Sequence, residues 1–110
     1  YLNPVVRVAI TEGFSVFGGL VVAQSTTDVV DPYRIVVESR VANYRGGDSR
    51  SRDLGVETDL GVEIRRTLGP TKVRLGLQAG YFWPGRAFDD EQGRAMPPVG
   101  LVQARAGVVF

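Results

Sequence analysis

The sequence predicts an all-β chain, an antiparallel up-and-down meander of about five strands. Three observations lead there. Apolar and polar residues alternate with period two through several segments, most clearly in VRLGLQAGYFW from Val73 to Trp83. The 14 glycines recur with valine and leucine in these short segments, while a helical period of 3.6 is hard to find. Tight turn signals and long polar stretches then follow one another in alternation along the chain.

The first strand runs from about Asn3 to Thr11, and Glu12-Gly13 turns it into a second from about Phe14 to Ser25, forming a hairpin. Next comes TTDVVDPYRIVVESRVANYRGGDSRSR, polar, arginine-rich and punctuated by Asp31-Pro32 and Gly46-Gly47. It reads as a long loop, within which RIVVESRV could pair briefly as strand. A third strand, about Asp53 to Arg65, meets the turn TLGPT, and Val73 to Trp83 forms the fourth. The polar loop PGRAFDDEQGRAMPP holds three of the six prolines and leads to a last strand from about Val99 to Phe110.

The two faces of each strand differ in kind. In the third, Leu54, Val56, Thr58, Leu60, Val62 and Ile64 oppose Asp53, Gly55, Glu57, Asp59, Gly61, Glu63 and Arg65. In the fourth, Val73, Leu75, Leu77, Ala79, Tyr81 and Trp83 oppose Arg74, Gly76, Gln78, Gly80 and Phe82. In the last, Val102, Ala104, Ala106, Val108 and Phe110 oppose Leu101, Gln103, Arg105, Gly107 and Val109. The first strand agrees, with Val6, Val8 and Ile10 set against Arg7, Ala9 and Thr11. The second does not discriminate, because Phe17, Val21 and Ala23 occupy its polar face, and Phe82 is a similar exception in the fourth.

At 110 residues and 44% hydrophobic content the chain fits one unit, residues 1–110. Thirteen basic and 12 acidic residues nearly cancel, so net charge gives no case for a nucleic-acid partner. Cysteine and histidine are both absent. Disulfides, thiolate nucleophiles, imidazole bases and the commonest transition-metal ligands go with them, so no enzyme activity, cofactor or metal is expected. No run approaches the roughly 20 apolar residues of a membrane helix, but a barrel strand needs only about 9–11 with one apolar face. The chain begins at Tyr1 without methionine, which suits a mature or excised product.

Charge-free apolar faces on successive strands match either a protein core or a lipid-facing band, where a charge costs about 2–4 kcal/mol at the midplane. Two features favour lipid. Tyr81 and Trp83 end their strand beside the long loop, where a membrane-interface girdle would lie. The opposite face carries Arg7, Glu57, Asp59, Glu63, Arg74, Gln78, Gln103 and Arg105, with both signs available to pair in a water-filled lumen. A four-residue turn after Arg66 would set Glu63 opposite Arg74 and Asp59 opposite Gln78. The blander reading is a solvated outer face over a soluble sandwich, with ion pairs worth about 0–1 kcal/mol each. The same weighing makes RGGDSRSRD a solvated loop before a phosphate or lipopolysaccharide site, and Asp89, Asp90 and Glu91 a loop triplet before a calcium site. Glu57 and Asp59, two apart, read as charge ladder before catalytic pair.

LGVETDLGVEIRRTLGPTKVRLGLQAGYFWPGRAF, followed by a polar loop and a final strand, resembles the C-terminal part of alginate-export-type outer-membrane porins of Gram-negative bacteria. The likeness covers about half the chain, from Leu54 onward, through LGVETD and GYFWPG. Terminal Phe110, with apolar residues at alternate positions before it, looks like the signal read by the barrel-assembly machinery, although Val108 stands where that signal often has an aromatic. The resemblance implies a segment of a transmembrane β-barrel in the bacterial outer membrane, in contact with lipid, passing or exporting small polar or anionic solutes. Phe110 joins Tyr81 and Trp83 as an interface aromatic. Barrels start at about eight strands, so five make a terminal piece, one share of a barrel built by several copies, or a sheet closed by another assembly. Short turns would be periplasmic, placing Phe110 on that side and Tyr1 on the outer one. The alternative is a structural protein that self-assembles through strand edges into an oligomer or filament.

Overall fold

A computed structural model describes residues 1–110. Five strands form one antiparallel sheet in sequence order: β1 Val5–Thr11, β2 Phe14–Gln24, β3 Asp53–Leu68, β4 Thr71–Pro84 and β5 Val99–Val109. The expected all-β meander is therefore present. It is an open sheet, not a closed barrel, since β1 and β5 each have a neighbour on one side only. No helix is long and apolar enough to cross a membrane.

Both short turns contain two residues. Thr11 pairs with Phe14 across Glu12-Gly13, and Gly13 at φ 95° donates the left-handed conformation that a side chain would resist. Leu68 pairs with Thr71 across Gly69-Pro70, with Gly69 at φ 62° in the first turn position, the chemistry of a type II′ hairpin. β3 and β4 thus run further into TLGPT than the sequence suggested. Proline is tolerated there because the turn needs no donor from it.

The segment RIVVESRV corrects the expectation of a brief strand. Residues Pro32–Glu38 form a helix, α1. Asp31 caps it by accepting from the Tyr33 N–H at 2.9 Å, Pro32 occupies the first turn, and Arg34 pairs with Glu38 one turn on at 2.9 Å. These local signals outweigh the β preference of Ile35, Val36 and Val37. The helix ends at Ser39, at φ 51°.

The sheet has no second layer. Nine residues are buried, and apart from Gly55, Gly61 and Glu63 on β3 they lie in the two long loops or at their roots. A compact protein of 11.9 kDa would expose about 5,900 Å² and have a radius of gyration near 13 Å. This chain exposes 8007 Å², with a radius of gyration of 19.9 Å and a length of 65 Å. The apolar face accounts for much of the difference: Val6, Val8, Ile10, Leu60, Leu75, Leu77, Val102 and Val108 are all exposed.

What core there is joins the loops. Asn43, fully buried, donates from Nδ2 to the Ala87 and Asp89 carbonyls and accepts at Oδ1 from the Arg45 and Gly47 N–H groups. That uses all four of its hydrogen-bonding positions. Arg45 adds a bond to the Phe88 carbonyl and Arg40 pairs with Glu91, so residues 25–52 and 85–98 are stitched together.

Candidate functional site: the charged face of the sheet

All eight polar residues singled out from the sequence share one sheet face. The register sets Arg7 beside Phe17, Phe17 beside Gly61, Gly61 beside Gln78, and Gln78 beside Gln103 in a single row. One row nearer the short turns lie Glu63, Gly76 and Arg105. Glu57 and Asp59 lie toward the long loops, opposite Phe82 and Gly80.

The turn geometry corrects the predicted pairing by two residues. Glu63 faces Gly76, and Asp59 faces Gly80. The predicted partners nevertheless meet diagonally: Arg74 Nε donates to Glu63 Oε2 at 2.8 Å, and Gln78 Nε2 reaches Asp59 Oδ1 at 3.3 Å. Glycine at 76 and 80 leaves the room. An added Cβ at Gly80 would lie 2.8 Å from Asp59 Oδ1.

Glu63 is the centre of the charged cluster. Arg65 Nε donates to its Oε1 at 2.6 Å, Arg74 binds its Oε2 through both Nε and Nη2, and Arg7 Nη1 lies 3.6 Å from Oε1. Arg65 and Arg74 stand directly opposite each other, an unfavourable like-charge pair that the shared carboxylate makes tolerable. Glu63 is 7% exposed, whereas the side chains of Arg7, Arg65 and Arg74 are 47%, 61% and 60% exposed. Solvent therefore meets three guanidiniums with one carboxylate beneath them. Lys72 lies on the same face beyond them, and Arg105 bonds only Gln103, at 2.8 Å. A groove of about 730 Å³ lies at this end, lined by Arg65, Arg66, Lys72 and Arg74 with Glu12.

Charge is thus segregated along the strands, with carboxylates Glu57 and Asp59 toward the loops and cations toward the short turns. Such a face carries potentials of opposite sign toward its two ends.

The two aromatic exceptions have separate causes. Phe17 lies across Gly61, where an added Cβ would come within 2.2 Å of its ring, and Arg7 covers its other side at 4.8 Å from the ring centre. Phe82 packs edge-on against Phe88 of the 3-10 turn Arg86–Phe88, at 6.3 Å between centres. It seats the second loop on the polar face.

Tyr81 and Trp83 sit on the apolar face at the loop end, T-stacked at 4.6 Å and exposed. Phe110 follows β5 at the opposite end and is 98% exposed. Sequence reasoning left Arg65, Lys72, Phe17 and Asn43 out of the site. For Arg65 and Lys72 the signal was the alternation itself, which continues through both once the turn is shortened. In the loops, Asp90 accepts from the Arg94 backbone N–H at 2.9 Å, from the Arg94 side chain, and from the Gln92 N–H. These bonds, the Arg94 backbone one foremost, hold its carboxyl below the usual range despite opposing desolvation.

Comparison with family models, with curated proteins and with solved structures gives no match.

Proposed function

We propose that this sheet is a section of a porin-type β-barrel in a bacterial outer membrane, of the alginate-export kind, through which small polar or anionic solutes pass without chemical change. One observation carries the reading: an uncovered apolar face, free of charge except at Arg66 near the turn, backs a face that holds nearly all the strand charges. From Leu54 to Ile64 the charge-free run of β3 spans about 33 Å along the strand, or about 25 Å upright at a tilt near 40°, the height of a barrel's apolar band. Arg66, one step beyond, has the length to snorkel to the interface. Tyr81 and Trp83 at one end and Phe110 at the other serve as interface aromatics.

On this reading Arg7, Arg74 and Arg105, joined by Arg65, attract anions. Glu63 acts from beneath as their spacer, while Glu57, Asp59, Gln78 and Gln103 narrow the path. Two measurements test it. The protein is expected to need detergent and to enter outer-membrane fractions; full solubility without detergent would remove the lipid-facing assignment. In the complete channel, Arg74→Glu with Arg105→Glu is expected to move ion preference from anions toward cations, and an unchanged reversal potential would remove both from the pathway. The unpaired edges of β1 and β5 favour a second reading, an oligomer or filament built through strand edges. Filaments that form in buffer and bury Val8, Leu77 and Val102 would support it over the porin.

A further inference from the structure

Every neighbouring pair in the sheet is antiparallel and the strand number is odd, so β1 and β5 run in the same direction. Joining β5 to β1, within one chain or around a ring of identically oriented copies, would therefore create a parallel seam. Antiparallel pairing of β1 with β1, or β5 with β5, would instead invert one copy and send the long loops to opposite sides. The side chains disfavour the parallel seam further. On the polar face β1 presents Val5, Arg7 and Ala9, and β5 presents Leu101, Gln103, Arg105 and Gly107. Such a seam would bring together two arginines and no carboxylate. Arg105 has only Gln103 for a partner, and Arg7 reaches Glu63 at 3.6 Å.

We propose that the surface formed by the free edges of β1 and β5 takes a partner β-meander with an odd number of strands, at least three, whose outer strands carry carboxylates on the polar face beside Arg7 and Arg105. The inference rests on the barrel reading above. Odd number keeps every pair antiparallel and all long loops on one side. Three strands bring the total to eight, the smallest closed barrel of this kind. The meander must also alternate apolar outward and polar inward, so that it continues the exposed apolar face of Val6, Val8, Leu77 and Val102 on one side and the charged face on the other.

The test extends the full chain beyond Phe110 with a glycine turn and a designed meander, valine and leucine outward, serine and glutamate inward, of either three strands or two. The chain has no cysteine, so one placed at Val8 and one in the last added strand report closure as a disulfide. In detergent, the three-strand form is expected to close, run as a heat-modifiable band and form that bond. The two-strand form should close about tenfold less, as should a three-strand form with lysine for the inward glutamates. Equal closure with two strands, failure of the three-strand form, or Val8→Cys linking to Ala104→Cys between copies of the unextended chain would each overturn the proposal. Detergent partitioning of the unextended chain is read separately, so loss of the membrane reading is distinguishable from loss of this one.

Discussion

Asn43 is the fully buried side chain at the junction of the two loops, and its amide makes four of the hydrogen bonds there. Asn43→Ala leaves the Ala87 and Asp89 carbonyls and the Arg45 and Gly47 N–H groups without their partner, at the centre of a buried junction. At about 1 kcal/mol for each of four bonds, the junction loses about 4 kcal/mol. Since about 1.4 kcal/mol is tenfold, its open population rises by nearly three orders of magnitude. Asn43→Asp, of the same shape, replaces the donating amide with oxygen facing two carbonyl oxygens, and should open the junction at least as far. Limited trypsin digestion of the detergent-solubilised protein reads this at Arg40, Arg45 and Arg50, with amide exchange at Gly46 and Gly47 as a second measure. Strand amides of β3 and β4 should keep their protection, because none of Asn43's hydrogen bonds goes to them. A tryptic rate within about tenfold of the parent for both variants would refute the hub assignment.

Three further outcomes follow from the same fold. Gly61→Ala should drive Phe17 off the polar face and lower stability by about 1–3 kcal/mol in denaturant titrations in detergent, with Phe17→Ala partly rescuing it; additive losses would exclude the contact. Leu77→Arg, at an exposed position midway along β4, should cost about 2–4 kcal/mol in a bilayer, whereas a water-facing site would change by less than about 0.5 kcal/mol. Because folding lowers the Asp90 pKa, its contribution is present above the unfolded value near 3.8 and is lost as pH falls through the lower folded value. Protection of the Gln92 and Arg94 amides, taken relative to their intrinsic exchange rates, should therefore hold down to about pH 4 and fall below it, and Asp90→Asn should abolish that dependence.

The strands and their faces were legible because period-two alternation records which medium each side chain meets, and Asp53 to Arg65 states it almost without interruption. Register was not, because it depends on turn length. Gly69-Pro70 makes a two-residue turn where TLGPT offered several, and the difference of two residues keeps every side chain on its face while changing its partner. The Glu63–Arg74 contact survives that shift because long side chains reach diagonal neighbours. α1 was hidden by composition: Ile35, Val36 and Val37 favour strand, and only Asp31-Pro32 encodes the helix start. Asn43 carried no local signal, since its partners Ala87 and Asp89 lie more than forty residues away.

The chain therefore contains two units stabilised by different means. The loop junction owes its order to protein: buried Asn43, charge-assisted bonds from Arg45 and Arg40, and Phe88 seated on Phe82. The sheet has its ladder hydrogen bonds, the Phe17–Gly61 contact and the Glu63 cluster, but no apolar core of its own on either face. Backbone bonds alone contribute little net free energy when water competes for the same groups. The sheet's order thus depends on what covers its apolar side, and lipid or detergent would strengthen the ladder by removing that competitor. Withdrawal of detergent should then raise exchange in β1 and β5 first, where one edge is already unpaired, while Gly46 and Gly47 remain protected. Simultaneous loss of protection in both regions would show instead that the loops and the sheet stand or fall together.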